Sequence, residues 1–177
     1  MKDHHNYELL GRNLQRFRLE KQISLSQLAK EAGIAKSNLS RLEQGQANPT
    51  LDTIWRLAMR LEVPFSHLVA HLDFPLSDKG VQVKLIDQGT DDPNVDVYWM
   101  SCAPHTVRQA APHSTGCMES ILVISGEVIV GPNGEARALS AGQTYQFKAD
   151  QAHLYQTGEQ WANFMVTIVY QAQGAVT

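Results

Sequence analysis

Residues 24–51 constrain the fold of this chain more than any other stretch, because they combine helical periodicity with a tight turn at a fixed place. Ser24 and Gln27 form the S-x-x-Q pattern that begins a helix. Four residues then share one helical face: Leu25, Leu28, Ala29 and Ala32. Gly33 follows at once, and a glycine after a helix usually adopts the left-handed conformation that turns the chain. The stretch therefore predicts a short helix that ends in a sharp turn.

A second short helix is predicted after the turn, from Lys36 to Glu43. Leu39 and Leu42 face inward at helical spacing. Small polar and basic side chains then face outward: Lys36, Ser37, Asn38, Ser40 and Arg41. This layout is typical of a motif whose second helix enters the major groove of DNA. A generic helical bundle, in which the outward polar residues are merely solvated, is the alternative.

Three more amphipathic segments complete a five-helix unit over residues 1–70: Asn6 to Lys21, Leu51 to Leu61 and Val63 to Val69. The turn Asn48-Pro49-Thr50 is predicted to cap the helix that follows it.

The joint pattern resembles the phage-repressor-like, or Xre, family of helix-turn-helix domains. The pattern comprises Ala29, Gly33, Ile34, Leu39 and Leu42. The resemblance to the family extends from Gly11 to about Ala70. The resemblance implies a lambda-repressor-like fold and an ion pair between Arg18 and Glu43. One departure is Ala35, where the family often has a serine or threonine as helix cap.

We predict that double-stranded operator DNA contacts eight residues: Ser26, Gln27, Lys36, Ser37, Asn38, Ser40, Arg41 and Gln46. Among them, Asn38 suits adenine and Arg41 suits guanine. Residues 1–70 carry ten Lys or Arg against seven Asp or Glu, whereas residues 71–177 carry five against eleven. The basic part of the chain is thus the part with the motif, as phosphate contacts require.

The helical pattern stops near His71, and residues 71–80 are predicted to be a linker because they combine Pro75, Asp78 and Gly80. Beyond them the apolar residues alternate, as in half-buried strands. The predicted strands are Val81–Leu85, Val95–Met100, Ile121–Ile124, Val128–Val130, Gln143–Phe147, His153–Gln156 and Phe164–Tyr170. Residues 81–177 are therefore predicted to form an antiparallel sandwich or barrel, which makes the chain a two-domain α + β protein.

Two spacings stand out within this predicted barrel. His113, Glu119 and Gly126 lie in PHSTGCMESILVISGEVIV, and Gly142 and His153 lie in AGQTYQFKADQAHLYQT. They resemble the two motifs of the cupin family, a small jelly-roll barrel. In metal-binding cupins the histidines and the glutamate of these motifs project into the barrel and bind the metal.

Carried over to this chain, the resemblance implies metal ligation by His113, Glu119 and His153, while the remaining family histidine falls on Thr115. A hydroxyl is a poor substitute for imidazole. The second motif departs from the family at Lys148, Asp150 and Thr157. The three remaining donors can hold a divalent ion such as zinc if water or a ligand atom completes the coordination. Alternatively, the two histidines are pocket or core residues that hydrogen-bond to Glu119.

The same pocket is predicted to bind a small effector through His113, Glu119, His153, Arg108, Tyr98 and Tyr155. An amino acid suits it, since Glu119 can bind an ammonium and Arg108 a carboxylate; a sulfur compound is another candidate. The alternative for Arg108 is an ordinary arginine that faces solvent.

The pairing of the two domains is similar to bacterial transcription regulators with a cupin sensor, including regulators of sulfur utilisation. We predict such a regulator, not an enzyme, because a sensor uses both domains; no Ser-His-Asp or Cys-His arrangement and no phosphate loop is evident. The alternatives are a cupin-type metal-dependent enzyme with an attached DNA-binding domain and a structural chromosome-binding protein.

We expect a cytoplasmic homodimer without membrane contact. No apolar run is long enough to cross a bilayer, and the first residues lack the apolar core of a signal peptide. A dimer would present two recognition helices to two half-sites about one helical turn apart. Pairing between copies through Phe164–Tyr170, taken as an edge strand, is the predicted contact.

Overall fold

The computed structural model describes residues 2–72, 75–89 and 91–171, with side chains described from Asn6 onward. The chain divides into two compact units, Met1–Pro75 and Leu76–Thr177. Helices make up the first unit and strands the second within the described residues, so the predicted α + β class is confirmed.

The helical unit contains the five predicted helices: α1 (Lys2–Glu20), α2 (Leu25–Glu31), α3 (Lys36–Glu43), α4 (Leu51–Leu61) and α5 (Phe65–Val69). Their apolar faces meet in one core, in which Leu28, Leu39 and Leu61 are completely buried. Burial of such faces supplies most of the stability of short helices, because a helix of this length is marginal in isolation.

Local sequence signals set the ends of these helices. Ser24 Oγ accepts a hydrogen bond from the backbone N–H of Gln27, as the capping pattern predicts. Gln27 Nε2 donates to Glu31 Oε1. Thr50 caps α4, and Gly33 has φ +65°, the left-handed conformation of the predicted turn.

The second unit contains ten antiparallel strands in the described part of the chain. They are β1 (Leu76–Asp78), β2 (Val81–Gln88), β3 (Val95–Cys102), β4 (Val107–Ala110), β5 (Met118–Ser125), β6 (Glu127–Pro132), β7 (Arg137–Ser140), β8 (Thr144–Lys148), β9 (His153–Gln156) and β10 (Ala162–Val169). One sheet has the order β1-β2-β3-β10-β5-β8, and the other has the order β4-β9-β6-β7.

Two expectations about this unit are wrong. The Phe164–Tyr170 segment does not form an edge strand, because β10 lies between β3 and β5 and both of its edges are hydrogen-bonded. Residues 71–80 are not all linker, because β1 pairs with β2. Strands β1, β4 and β7 were not predicted, since three or four residues are too short for alternation to stand out.

In the described residues, no helix has the length and apolarity that crossing a membrane requires.

Candidate functional site

The first candidate site is the exposed surface of α2 and α3. Of the eight residues predicted to contact DNA, seven are exposed, and Ser40 is half-buried. Leu39 and Leu42 face the core, so the polar face of α3 points to solvent as the periodicity predicts. Arg41 Nη2 donates to the carbonyl of Gln46, 3.1 Å away. The surface therefore presents amide, hydroxyl and cationic groups of the kind that contact bases and phosphates.

An ion pair fixes the C-terminal end of α3 against α1. Arg18 Nε and Nη2 donate to the two carboxylate oxygens of Glu43 at 2.6 and 2.8 Å, and Arg18 Nη1 donates to the carbonyl of Ile23 at 3.0 Å. The hydrogen bond to Glu43 raises the pKa of Arg18, in spite of its burial. The predicted Arg18–Glu43 pair is thereby confirmed, with the bidentate geometry that gives strong charge-assisted bonds.

Close backbone packing supports the same contact. A Cβ added at Gly11 on α1 would lie 2.5 Å from the carbonyl oxygen of Leu42 and 2.7 Å from that of Glu43. At its other end, α3 begins at Ala35, which makes no side-chain cap.

The second candidate site is a buried group in the barrel formed by His113, Glu119 and His153. Glu119 lies on β5 and His153 on β9, in different sheets, while His113 precedes β5. Glu119 Oε2 lies 3.3 Å from His113 Nε2 and 3.5 Å from His153 Nε2. The ligand atoms of all three lie within 4.8 Å of one another, so the fold brings together donors that are far apart in sequence.

The tautomer of His153 determines what this group can bind. Its Nδ1 lies 2.9 Å from the carbonyl of Gln151, and because a carbonyl only accepts, Nδ1 carries the hydrogen. Burial lowers the pKa of His153, so the ring is neutral and Nε2 offers a lone pair. That lone pair faces Glu119 Oε2.

Glu119 is completely buried and negatively charged. Burial by itself would raise the pKa of this carboxyl, but interactions with His113, His153 and Tyr155 outweigh it and hold the pKa below its usual value. Oε2 of Glu119 and Nε2 of His153 are therefore two acceptors facing each other; Oε2 has His113 Nε2 3.3 Å away, whereas Nε2 of His153 has no hydrogen-bond partner within the described chain. A group between them that carries positive charge would satisfy both.

Tyr155 and Arg108 border the group and are neighbours in register across β4 and β9. The Tyr155 hydroxyl donates a hydrogen bond to Glu119 Oε1. Burial raises the pKa of Tyr155 well above its usual range, Glu119 raises it further, and the nearby Arg108 charge opposes the shift. Arg108 is only 9 % exposed, so the alternative of a solvent-facing arginine is wrong.

The donor set fits a divalent cation, since nitrogen and carboxylate ligands are those that zinc prefers. Thr115 occupies the position at which metal-binding cupins have their remaining histidine, and it is exposed in the turn before β5. The candidate metal site therefore has three protein donors. Two other departures stabilise loops. Asp150 accepts from the backbone N–H of Gly116, and Thr157 accepts from that of Thr106, each at 3.0 Å.

Tyr98 lies on the inner face of β3, where its hydroxyl donates to Asp96 Oδ2 at 2.9 Å. Asp96 is completely buried and shares a row across the sheet with Glu119, since both lie opposite Ile168. Our sequence analysis missed this second inward carboxylate, although the alternation in β3 places Asp96 on the same face as Tyr98.

Sequence comparisons identify related transcriptional regulators. The helix-turn-helix family HTH_3 matches residues 14–68. The HTH-type transcriptional regulator SutR of Escherichia coli is 30% identical over 168 residues, which cover 91% of this chain and 94% of SutR. The HTH-type transcriptional regulator PuuR of the same organism is 22% identical over 159 residues, which cover 82% of this chain and 85% of PuuR.

Solved structures share the architecture. An HTH_3 family transcriptional regulator from Vibrio cholerae aligns with a TM-score of 0.85 at 24% identity and covers 96% of this chain and 99% of its own. The Cupin_2 domain of an XRE family transcriptional regulator from Enterobacter cloacae aligns with a TM-score of 0.50 at 28% identity and covers 52% of this chain and 99% of its own.

A DNA-binding helix-turn-helix unit joined to a small jelly-roll barrel defines the class of this protein. The chain belongs to the Xre-like family of helix-turn-helix transcriptional regulators with a cupin domain. Both resemblances inferred from the sequence are thereby confirmed.

Proposed function

We propose that this regulator binds its operator as a homodimer in the cytoplasm, and that a small effector bearing an ammonium group, such as an amino acid, alters operator affinity from the barrel. The pair of buried acceptors, Glu119 Oε2 and His153 Nε2, carries this proposal. In a complete core network, His153 Nε2 would also face a donor, and it faces a carboxylate instead.

The first step of the proposal is DNA binding through α3. Arg41 and Asn38 read bases in the major groove, and the other predicted residues of the motif contact phosphates or nearby bases. A single recognition helix reads only a few base pairs, so two copies bind two half-sites about one helical turn apart.

The second step is effector binding. Glu119 Oε2 and His153 Nε2 are 3.5 Å apart, so an ammonium beside the pair can donate a hydrogen bond to each of them. The buried Arg108 guanidinium binds the carboxylate of the same ligand. A sulfur-containing amino acid satisfies the same contacts. The effector changes operator affinity only if it prefers one arrangement of the dimer, and couplings of this kind typically alter affinity by about 5- to 150-fold.

Zinc is the second candidate occupant, because three donor atoms lie within 4.8 Å of one another. A bound ion would supply a Lewis-acidic centre with open coordination positions. In that case the effector binds through the metal, and chelators abolish its action.

The test starts from an operator selected from random DNA by the purified full-length chain. Fluorescence anisotropy then measures operator affinity with and without each of a panel of amino acids, and with and without a chelator. We expect one amino acid to shift the affinity. His153→Ala and Glu119→Gln should abolish the shift while leaving effector-free affinity nearly unchanged.

Two matched variants serve as controls. His105→Ala removes an exposed histidine paired with Glu159 and should leave the response intact. Arg41→Ala should weaken specific binding by about 1–3 kcal/mol, whereas Arg137→Ala, the same charge change on an exposed residue of β7, should not. If no amino acid shifts operator affinity or the melting temperature, and the chelator does nothing, the sensor proposal is wrong.

A further inference from the structure

The turn that joins α2 to α3 begins with a regular helix C-terminus. The backbone N–H of Gly33 donates to the carbonyl of Lys30 at 3.2 Å, and that of Ile34 donates to the carbonyl of Ala29 at 2.9 Å. This pair of bonds is the Schellman arrangement, in which a glycine after the helix adopts the left-handed conformation. It satisfies two of the carbonyls that the last turn of a helix leaves open, but not the carbonyls of Ala32 and Gly33 that follow.

A side chain of α4 binds those two carbonyls from outside the motif. Arg56 Nη1 donates to the carbonyl of Ala32 at 3.0 Å and makes a longer contact of 3.4 Å with the carbonyl of Gly33. A Cβ added at Gly33 would lie 3.4 Å from the same nitrogen, so the guanidinium packs against the backbone of the turn. Because the donor is charged, such bonds are stronger than those between neutral groups. Arg56 therefore ties the turn to α4.

The two ends of α3 are held in different ways. At the C-terminal end, Arg18 and Glu43 fix the helix against α1. At the N-terminal end, Ala35 makes no side-chain cap, whereas Ser24 and Thr50 cap α2 and α4. The N-terminal end of α3 is therefore positioned through the turn that precedes it.

We propose that Arg56 is a positioning residue for operator recognition; the inference rests on the operator binding through α3 proposed above. By holding the turn, Arg56 fixes the direction in which α3 begins. Side chains near the N-terminus of a recognition helix contact base edges. In this chain they are those of Lys36, Ser37 and Asn38. Arg56 acts on them through the turn and does not itself contact a base.

Loss of Arg56 should lower the affinity for the operator more than the affinity for DNA in general. Without its hydrogen bonds, fewer molecules hold α3 in the arrangement that matches the groove, and the apparent affinity falls in proportion to that fraction. We expect Arg56→Ala to weaken operator binding about tenfold. Binding to unrelated DNA depends on phosphate contacts and tolerates a misaligned helix, so it should change by less than about twofold.

A direct phosphate contact is the alternative role for an exposed arginine such as Arg56. A side chain that neutralises a phosphate releases a counterion. Its loss therefore weakens binding to all sequences alike and reduces the slope of log affinity against log salt by about 1. A positioning residue leaves that slope unchanged. Salt titrations with specific and unrelated DNA therefore distinguish the two roles.

Fluorescence anisotropy of the full-length chain tests the inference, with the selected operator and a scrambled duplex of the same length. Arg60→Ala is the matched control for Arg56→Ala. It removes the same charge from an exposed residue about one turn further along α4, and it should change operator affinity by less than about twofold. Melting curves confirm that each variant is folded at the assay temperature. A lower melting temperature with an unchanged ratio of the two affinities would make Arg56 a purely structural residue and overturn the inference.

Ala35→Ser provides a rescue experiment. The φ of −65° and ψ of 137° at Ala35 suit an N-cap, so a serine there can accept a hydrogen bond from the first turn of α3. The new cap orders the same end of α3 that Arg56 holds through the turn. Ala35→Ser should therefore restore most of the operator affinity that Arg56→Ala loses, and change the wild-type affinity by less than about twofold. An equal gain in both backgrounds would show that the two positions act independently and overturn the inference.

Arg41→Ala, measured in parallel, separates this inference from the proposed function. If Arg41→Ala weakens operator binding and Arg56→Ala does not, only the positioning role of Arg56 is wrong. An equal loss on operator and scrambled DNA for Arg56→Ala, with a shallower salt dependence, assigns Arg56 to a phosphate and also overturns the inference. If neither variant weakens operator binding, operator recognition through α3 is wrong as well.

Discussion

The two units each bury a glutamate, and the two carboxylates are satisfied very differently. In the helical unit, both oxygens of Glu43 accept hydrogen bonds from Arg18. In the barrel, Glu119 Oε1 accepts a hydrogen bond from Tyr155, whereas Oε2 faces the imidazoles of His113 and His153.

The difference separates a structural contact from a candidate binding site. A bidentate ion pair satisfies the buried charges it contains and fixes two helices, so it needs no further partner. A buried carboxylate that faces the lone pair of a neutral imidazole is left short of a donor, and such incompletely satisfied groups concentrate at functional sites. The predictions below test this contrast.

The largest effect is expected for Glu43→Ala. The substitution leaves the Arg18 guanidinium buried without its counter-charge, which costs about 3–5 kcal/mol. In the described residues all helices belong to the first unit, so urea unfolding followed by the helical circular dichroism signal reports on it. Glu20→Ala is the control, since the exposed Arg16–Glu20 pair at 4.0 Å should contribute less than about 1 kcal/mol. Equal losses for the two variants would contradict the structural role of Glu43.

A smaller loss is expected for Gly11→Ala. Alanine ordinarily stabilises a helix interior by about 1 kcal/mol relative to glycine. Here its Cβ would lie 2.5 Å from the carbonyl oxygen of Leu42 and push α1 away from α3, with a net loss of about 1–3 kcal/mol. The same urea titration measures the loss. Gly158→Ala in the barrel, where nothing lies within 4 Å of an added Cβ, should be near neutral when unfolding of the barrel is followed. A stabilised Gly11→Ala variant would show that the α1–α3 contact is not closely packed.

The sequence predicts the helical unit well because its determinants are local. Ser24, Gly33 and Thr50 each end or begin a helix through their own backbone or side chain, and the structure shows each doing so. The Arg18–Glu43 pair joins residues distant in sequence, and it was predicted only through the family resemblance.

The barrel is harder to predict because its determinants are distant in sequence. Alternation identifies most strands but does not say which strands are neighbours, so β10 was wrongly placed at an edge. The short strand β4 was missed, and with it the reason that Arg108 is buried beside Tyr155. Pairing between strands depends on tertiary packing, which one sequence does not reveal.

The N-terminus of α3 is a place in the helical unit where a polar group lacks a side-chain partner. Ala35 makes no cap, although its φ of −65° and ψ of 137° match the extended geometry of an N-cap residue. Ala35→Ser should therefore stabilise the unit by about 1 kcal/mol, and Ser24→Ala should destabilise it by a similar amount. The same urea titration measures both changes in stability. An unchanged midpoint for Ala35→Ser would mean that solvent already satisfies these N–H groups.

The smallest effect on stability is expected for Glu119→Gln, and it addresses the contrast directly. The glutamine carbonyl can accept from Tyr155 while its amide donates to His153 Nε2, so the substitution adds a bond as it removes a buried charge. We expect the barrel stability to remain within about 1 kcal/mol of wild type.

Burial raises the pKa of the Cys102 and Cys117 thiols to about 12, so their reaction with a thiol reagent during a urea titration reports on barrel unfolding. Glu43→Gln provides the comparison, since its amide would face the Arg18 guanidinium and should destabilise the helical unit strongly. A loss of about 3 kcal/mol or more for Glu119→Gln would place Glu119 in the same structural role as Glu43 and remove the physical basis for an effector site.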